Sequence, residues 1–213
     1  LVLKTMYAYI DRSGSLYDTE CLSLFGTNSF NLVWEKICAE IMDNQLDVPL
    51  GILKLPVPLK EDYNRRQKLI ELIEKPLWTI TGKCAKDTLI PDLVSICKVN
   101  DQHQFIIFDA KYYNAHLEKG IVPTGQPGIE SITKQYLYQL AYQQFIEDHN
   151  FSSVKNCFLL PTENNEIEDK GEVRMEMLSN LGLQDIKIRL IPATMAYDLY
   201  LSGSKMDMER LDL

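Results

Sequence analysis

The stretch Ile106-Ile107-Phe108-Asp109-Ala110-Lys111-Tyr112-Tyr113 decides the predicted fold. Its first half is an apolar run typical of a buried strand, and its second half brings an acid and a base two residues apart. Because successive side chains of a strand alternate between faces, we expect Asp109 and Lys111 to project from the same face. The upstream stretch Ile90-Pro91-Asp92-Leu93-Val94 also favours a strand, and the polar link Asn100-Asp101-Gln102-His103 predicts a hairpin. Pairing in that hairpin would bring the carboxylate of Asp92 beside that of Asp109.

The pattern around this hairpin indicates an α/β domain with a mixed central sheet flanked by helices. Apolar residues at helical spacing, from Phe30 through Trp34 to Ile41, predict a first helix. We expect a lead-in of strand and turn over 1–27 and a single domain over 28–213. The remaining predicted elements are irregular chain over 45–60, a short helix over 61–74, extended segments over 77–81, 89–99 and 105–113, a loop over 120–128, a long helix over 129–148, strands over 154–160 and 186–191, and a closing helix over 194–201.

Composition narrows the class of protein. With 213 residues, 46% of them hydrophobic, the chain can form a packed core, and it has no uninterrupted apolar run of about 18 residues that would span a membrane. We therefore expect a cytoplasmic protein; its first residue is Leu1 rather than Met, as in a fragment of a longer protein. Its 5 cysteines have no C-x-x-C pair, so we expect reduced, mostly buried thiols, and its 3 histidines are expected at the surface.

The formal net charge of -8 is unusual for a protein that binds nucleic acid, because affinity for phosphate backbones comes chiefly from Lys and Arg. A centre that gathers metal ions with carboxylates is nevertheless locally acidic, and DNA can be held by one basic face or by a domain outside this sequence. Arg65, Arg66 and Lys68 form one candidate DNA-facing surface. The alternative is that these residues are merely the solvated face of a helix.

Two carboxylates that converge at the end of a sheet, next to an ammonium group, suit a divalent metal site. Mg²⁺ prefers oxygen ligands and keeps several waters, so Asp92 and Asp109 with open coordination positions match it, and Mn²⁺ is an expected substitute. The ion would polarise a phosphate and lower the pKa of a bound water, while Lys111 would position that water or offset charge in the transition state. The alternative is a strand that ends in charged residues because it reaches solvent.

Four pieces of the chain, within roughly residues 28–148, match one known pattern: Phe30-Asn31-Leu32-Val33-Trp34-Glu35, Pro91-Asp92-Leu93-Val94, Phe108-Asp109-Ala110-Lys111-Tyr112-Tyr113 and Lys134-Gln135-Tyr136-Leu137-Tyr138-Gln139. Together they resemble the PD-(D/E)XK nuclease superfamily and, more narrowly, restriction subunits of the LlaJI and McrC type. The resemblance implies a Mg²⁺-dependent DNA endonuclease of a restriction system, with 28–213 as the nuclease domain. It also implies that Asp92 and Asp109 bind the ion, that the Ala110 carbonyl completes the site, and that Lys111 serves the hydrolytic water.

The resemblance adds residues from two helices. Glu35 matches the glutamate that many of these nucleases place on the first helix, in contact with the metal directly or through water. Glu40 is another candidate, and a solvated glutamate is the alternative for either. Gln135 matches a glutamine of the second helix whose amide orients a phosphate or the site lysine. Tyr138 and Tyr142 lie on the same helical stripe, but the spacing departs from a Q-x-x-x-Y pattern, so packing is an equal alternative for both.

The implied partners follow from the same resemblance. DNA is the substrate, a nucleotide-hydrolysing motor subunit is the partner that McrC-type members use, and double-strand cleavage by one site per chain would require a dimer on DNA. The rival interpretation is a non-catalytic nuclease-fold module that binds a partner protein or DNA. The intact set of Asp92, Asp109 and Lys111 argues against this rival, because a scaffold does not need converging charges at the end of a sheet.

Overall fold

The computed structural model describes residues 29–213. The lead-in expected over residues 1–27 lies outside the described residues. Residues Asn31–Leu213 form one compact unit, and the fold described below is the fold of this unit. Among the described residues, no helix combines the length and the apolar character needed to cross a bilayer.

A five-stranded mixed sheet forms the centre of this unit, as the α/β prediction requires. The helices are α1 (Phe30–Ile41), α2 (Ile129–Asp148) and α3 (Ala193–Ser202), and the strands are β1 (Leu77–Trp78), β2 (Lys83–Cys84), β3 (Leu93–Val99), β4 (Gln102–Ala110), β5 (Ser153–Thr162), β6 (Glu168–Val173) and β7 (Ile186–Pro192). The strand order is β3-β4-β5-β7-β6, with parallel pairs β4–β5 and β5–β7 and antiparallel pairs at both edges. Strands β1 and β2 form a separate two-stranded hairpin.

The predicted hairpin between β3 and β4 is confirmed. Its turn residues Asn100 and Asp101 have φ of 47° and 63°, the left-handed region that two-residue hairpin turns require and that Asn and Asp tolerate. The register pairs Val99 with Gln102 and Leu93 with Phe108. The residue before Leu93 and the residue after Phe108 are therefore neighbours, and these are the two predicted site aspartates.

Strand β4 is buried on both faces, which explains its continuous apolar run. Phe105 and Ile107 pack on one face, in a cluster with Tyr142 and Phe145 of α2. The intervening Ile106 and Phe108 are also fully buried, although their side chains alternate to the opposite face.

Helix α1 is tied to the same sheet by one long-range hydrogen bond. The indole N–H of Trp34 donates to the carbonyl of Leu159 in β5, at 3.1 Å. Trp34, Ile37 and Ile41 are buried, so the predicted apolar face of this helix is the one that packs inward.

Residues 61–74 do not form the short helix that we predicted, apart from the 3₁₀ turn Leu69–Leu72. The backbone groups of this stretch bond elsewhere: the N–H of Leu69 donates to Val48, and the carbonyl of Gln67 accepts from Leu50. Tertiary pairing with the neighbouring loop thus overrides local helical spacing. As a result, the surface proposed at Arg65, Arg66 and Lys68 is not a helix face, and Lys68 is paired with Asp47.

Three smaller expectations also need correction. Strand β3 begins at Leu93, later than in the predicted segment 89–99, and β4 has the predicted length but lies three residues earlier, at Gln102–Ala110 instead of 105–113. His149 is fully buried rather than at the surface, with its Nδ1 atom 2.7 Å from the carbonyl oxygen of Phe145. Cys84 is exposed, although Cys38 and Cys157 are buried as expected.

Candidate active site

The structure brings Asp92, Asp109 and Lys111 together at the end of β4. Asp92 immediately precedes β3, and its Oδ2 atom accepts a hydrogen bond of 2.9 Å from the backbone N–H of Ala110. The ammonium group of Lys111 lies 2.8 Å from Oδ1 of Asp109 and 3.5 Å from Oδ2 of Asp92. Both carboxylates therefore share one ammonium group, and the Ala110 N–H fixes the orientation of Asp92.

Asp109 is 5% exposed, and its second oxygen, Oδ2, is buried with no hydrogen-bond partner among residues 29–213. Burial and the nearby charge of Asp92 raise the pKa of Asp109 to about 7, against the opposing effect of Lys111. A buried carboxylate with an unpartnered oxygen is costly, since desolvation penalises the charged form. The site therefore carries more negative charge than its own lysine neutralises, which is the condition that a bound cation would relieve.

The ammonium group of Lys111 is held in its charged form. Burial lowers the pKa of this lysine, but the charges of Asp109 and Asp92 together outweigh burial, and the net shift is upward. A lysine with a raised pKa cannot accept a proton at neutral pH. Its chemistry at this site is therefore that of a positive charge and hydrogen-bond donor.

Of the two glutamates considered on α1, Glu35 is the one near the carboxylate pair. Burial and the charge of Asp92 raise the pKa of Glu35, whereas the ammonium group of Lys111 lowers it. Glu40 is exposed and pairs with Lys36 one helical turn away, at 2.6 Å. Of these two, Glu35 is therefore the one placed to interact with the groups of this site.

Gln135 lies under the site instead of opening into it. Its side chain is fully buried, and its Nε2 atom donates to the carbonyl of Ile107 at 2.7 Å rather than contacting Lys111. In this conformation the Gln135 amide cannot touch a phosphate in solvent. The resemblance had implied that it would. It instead anchors α2 to β4 two residues before Asp109, and its Oε1 atom has no partner within the described part of the chain.

Tyr138 contributes to the site in a way that helical spacing does not reveal. Its hydroxyl donates to the carbonyl of Ile90 at 2.9 Å, two residues before Asp92. Burial, with a smaller contribution from the charges of Asp109 and Asp92, raises the pKa of Tyr138 to about 12. Tyr138 thus holds the segment that leads into Asp92. Tyr142, on the same face of α2, instead packs on Phe105 in the core, with ring centroids 5.2 Å apart.

The two tyrosines offer a matched test of this positioning. Tyr138→Phe should lower the free energy of unfolding by about 1 kcal/mol, because the carbonyl of Ile90 loses its donor, and should slow any chemistry that depends on Asp92. Tyr142→Phe should leave stability unchanged or raise it, since the Tyr142 hydroxyl is buried and finds no partner in residues 29–213. Urea unfolding of both variants measures the difference, and equal effects would contradict the assigned role of Tyr138.

The raised pKa of Asp109 predicts a pH dependence of stability. Between pH 3.8, the ordinary value for Asp, and about 7, the folded protein holds a proton that the unfolded chain has released. Stability falls with rising pH wherever the native state binds more protons. Without divalent cations, wild-type stability should therefore decline across this window relative to Asp109→Asn, measured by urea unfolding at each pH. Parallel pH profiles of the two proteins would show that Asp109 is not perturbed.

Comparison with known proteins gives evidence that does not depend on the geometry of the site. A family model described as LlaJI restriction endonuclease matches residues 1–196. The type II restriction enzyme BsuMI component YdjA of Bacillus subtilis (strain 168) is 28% identical to the chain over 217 residues. That match covers 99% of this chain and 41% of the relative, so the chain spans less than half of the relative's length. No solved structure matches the chain significantly.

Proposed function

This chain belongs to the LlaJI restriction endonuclease family, and from that premise we propose that it is the catalytic domain or subunit of a Mg²⁺-dependent DNA endonuclease of the PD-(D/E)XK type. One observation carries the proposal: two acidic side chains from neighbouring strands and one ammonium group meet at the end of a buried strand. At a sheet end with only a structural role, burial of two carboxylates beside a single ammonium group would cost free energy without a compensating gain.

The residues present fit a divalent cation. Asp92 and Asp109 supply hard oxygen donors, and Oδ2 of Asp109 is a buried oxygen that no donor of the described chain satisfies. In a strand, the N–H and C=O of one residue face the same side; the N–H of Ala110 faces Asp92, so its carbonyl can supply a third oxygen. Among residues 29–213 no three His, Cys, Asp or Glu side chains form a ready-made cage, a sparse ligand set that suits Mg²⁺ because it keeps several waters.

The other side chains of the site have separate proposed roles. When bound, the cation supplies Lewis-acid stabilisation of negative charge on the scissile phosphate. The ammonium group of Lys111 holds the attacking water and offsets the charge that develops in the transition state. Glu35, whose charge interacts with those of Asp92 and Lys111, is proposed to contact the cation directly or through a water. Gln135 and Tyr138 are positioning residues, since they bond backbone carbonyls two residues before Asp109 and Asp92.

The proposed substrate is DNA, and the proposed setting is the cytoplasm, where restriction takes place. Because the chain spans less than half of its relative, further parts of the system are expected to contribute recognition of the target. For double-strand cleavage the proposal includes a dimer on DNA, and it includes a nucleotide-hydrolysing motor subunit as a partner.

The test is cleavage of unmodified plasmid DNA by the protein together with the other components of its restriction system. Nicked or linear products should form with Mg²⁺ or Mn²⁺, and chelation of the cation should stop the reaction. Cleavage that continues after chelation would contradict a metal-dependent mechanism. Failure of the complete system to cut any DNA, together with no carboxylate-dependent cation binding in calorimetry, would favour the non-catalytic module.

A further inference from the structure

The β1–β2 hairpin projects apolar side chains into solvent. Trp78 is 64% exposed and Ile80, at the tip, is 94% exposed. The tip is well formed: the backbone N–H groups of Thr81 and Gly82 both donate to the carbonyl of Trp78, and Gly82 adopts the left-handed conformation with φ of 64°. Exposed apolar side chains on a defined structure are typical of an interaction site.

The same hairpin is locally basic in an acidic chain. Lys75, Lys83 and Lys86 are exposed, no Asp or Glu lies between residues 75 and 86, and one exposed acid stands at each end of this stretch, Glu74 and Asp87. None of the three forms an ion pair with any residue in 29–213, whereas lysines such as Lys68 and Lys98 are paired with nearby carboxylates. The chain as a whole carries a net charge of -8, so a stretch in which three lysines outnumber the two acids at its ends is a local exception.

The hairpin is joined directly to the candidate active site. Its base is closed where the hydroxyl of Thr88 donates to the carbonyl of Glu74, at 2.7 Å. Asp92 follows Thr88 closely in the chain, after Leu89, Ile90 and Pro91, so extended chain places the two at most about 14 Å apart. A polymer whose phosphate lies at Asp92 and Asp109 therefore passes close to the base of the hairpin.

We propose that this hairpin is a DNA-binding element, which grips the duplex beside the scissile phosphate. The lysines bind backbone phosphates, and Trp78 and Ile80 reach into the adjacent groove. A two-stranded ribbon fits a DNA groove, apolar wedges are a known way to contact base steps, and the charge is complementary to a polyanion. The inference rests on the proposed function for the identity of its ligand, but it concerns binding and not cleavage.

Tryptophan fluorescence tests the location directly. The chain has 2 tryptophans, of which Trp34 is fully buried and Trp78 is exposed. Short duplex DNA, added to the Asp109→Asn variant so that no cleavage occurs, should protect Trp78 from acrylamide quenching. The Trp78→Phe derivative of that variant reports Trp34 alone and should show no DNA-dependent change. Protection of Trp78 before DNA is added would mean that another segment or a second copy covers the hairpin, and would overturn the proposal.

Charge removal gives a second readout. Replacing Lys75, Lys83 and Lys86 with Gln should weaken duplex binding about tenfold or more near 0.1 M salt, and should reduce the slope of log affinity against log salt by roughly 2.7. The matched control replaces Lys98, Lys155 and Lys170, which lie on β3, β5 and β6 of the main sheet, and should leave the slope unchanged. Equal slopes in the two triple variants, or no DNA binding at all, would refute the proposal. Retained hairpin-dependent binding without any cleavage by the wild type would instead refute the proposed function alone.

Discussion

Asp109→Asn should reduce DNA cleavage by about a hundredfold to a thousandfold while leaving the protein folded. The substitution preserves the shape of the side chain but removes a buried negative charge whose second oxygen lacks a donor among the described residues. Loss of one preorganised electrostatic contact at the reacting centre costs about 3 to 4 kcal/mol of transition-state stabilisation, which corresponds to a factor of about 150 to 900. The readout is the initial rate of plasmid cleavage under saturating Mg²⁺.

The same substitution should not destabilise the cation-free protein at neutral pH. The new amide would carry no charge to repel Asp92, and the desolvation cost that raises the pKa of Asp109 disappears. Asp101→Asn is a matched control, since Asp101 lies at the opposite end of the same hairpin and pairs with Lys98. Full cleavage by Asp109→Asn would defeat the proposed mechanism, whereas a variant that merely unfolds would show it in urea.

Lys111→Met should lower cleavage by about a hundredfold or more, yet cation binding should persist. Its ammonium group is the only positive charge among the described residues that bridges the two site aspartates, and its raised pKa keeps it charged. The hundredfold figure corresponds to about 2.7 kcal/mol, a typical loss for one electrostatic contact in the transition state. Without this lysine the aspartates repel each other, so the cation-free protein should be less stable and should gain more from added Mn²⁺. Thermal unfolding with and without Mn²⁺ separates this effect from the loss of rate.

A control and a conservative variant sharpen that result. Lys98→Met removes a surface lysine at the far end of β3 and should change neither cleavage nor cation binding. Lys111→Arg keeps the charge but replaces a compact ammonium group with a planar guanidinium, so it should restore stability more fully than cleavage. If Lys111→Met lost cation binding as completely as Asp109→Asn, the lysine would be a structural support of the metal ligands and not a group that serves the water.

Much of the sheet and its main helix was predictable because the apolar run of β4 indicates a buried strand and the pattern of α2 indicates a long helix. The run from Phe105 to Phe108 is buried on both faces, and the helix predicted over 129–148 has the observed bounds Ile129–Asp148. Strand β6 (Glu168–Val173) was not predicted, because an edge strand of polar residues has no apolar alternation. The helix expected over 61–74 was wrong because its backbone groups bond to residues 46–51, a long-range effect that spacing cannot show.

The same distinction applies to the site, where features set by local register were predictable and features set by helix packing were not. Pro91-Asp92 and Asp109-Ala110-Lys111 belong to one hairpin, so local register is enough to predict that their charges converge. The contributions of α2 depend on how the helix is rotated on the sheet. For that reason the structure places Gln135 on the carbonyl of Ile107 instead of in the cleft, and gives Tyr138 a role that its spacing left open. The basic hairpin around Trp78 was not recognised from sequence, although three lysines with no acid between residues 75 and 86 were a usable signal.

In the proposed mechanism, Asp92 and Asp109 hold one divalent cation between them. A crystal of the protein soaked in Mn²⁺ tests it most directly, because anomalous scattering locates the ion without reference to activity. We predict one strong anomalous peak in contact with a carboxylate oxygen of each aspartate, and no such peak in Asp109→Asn. A soaked crystal with no Mn²⁺ at this pair, or with the ion bound only elsewhere, would contradict the account.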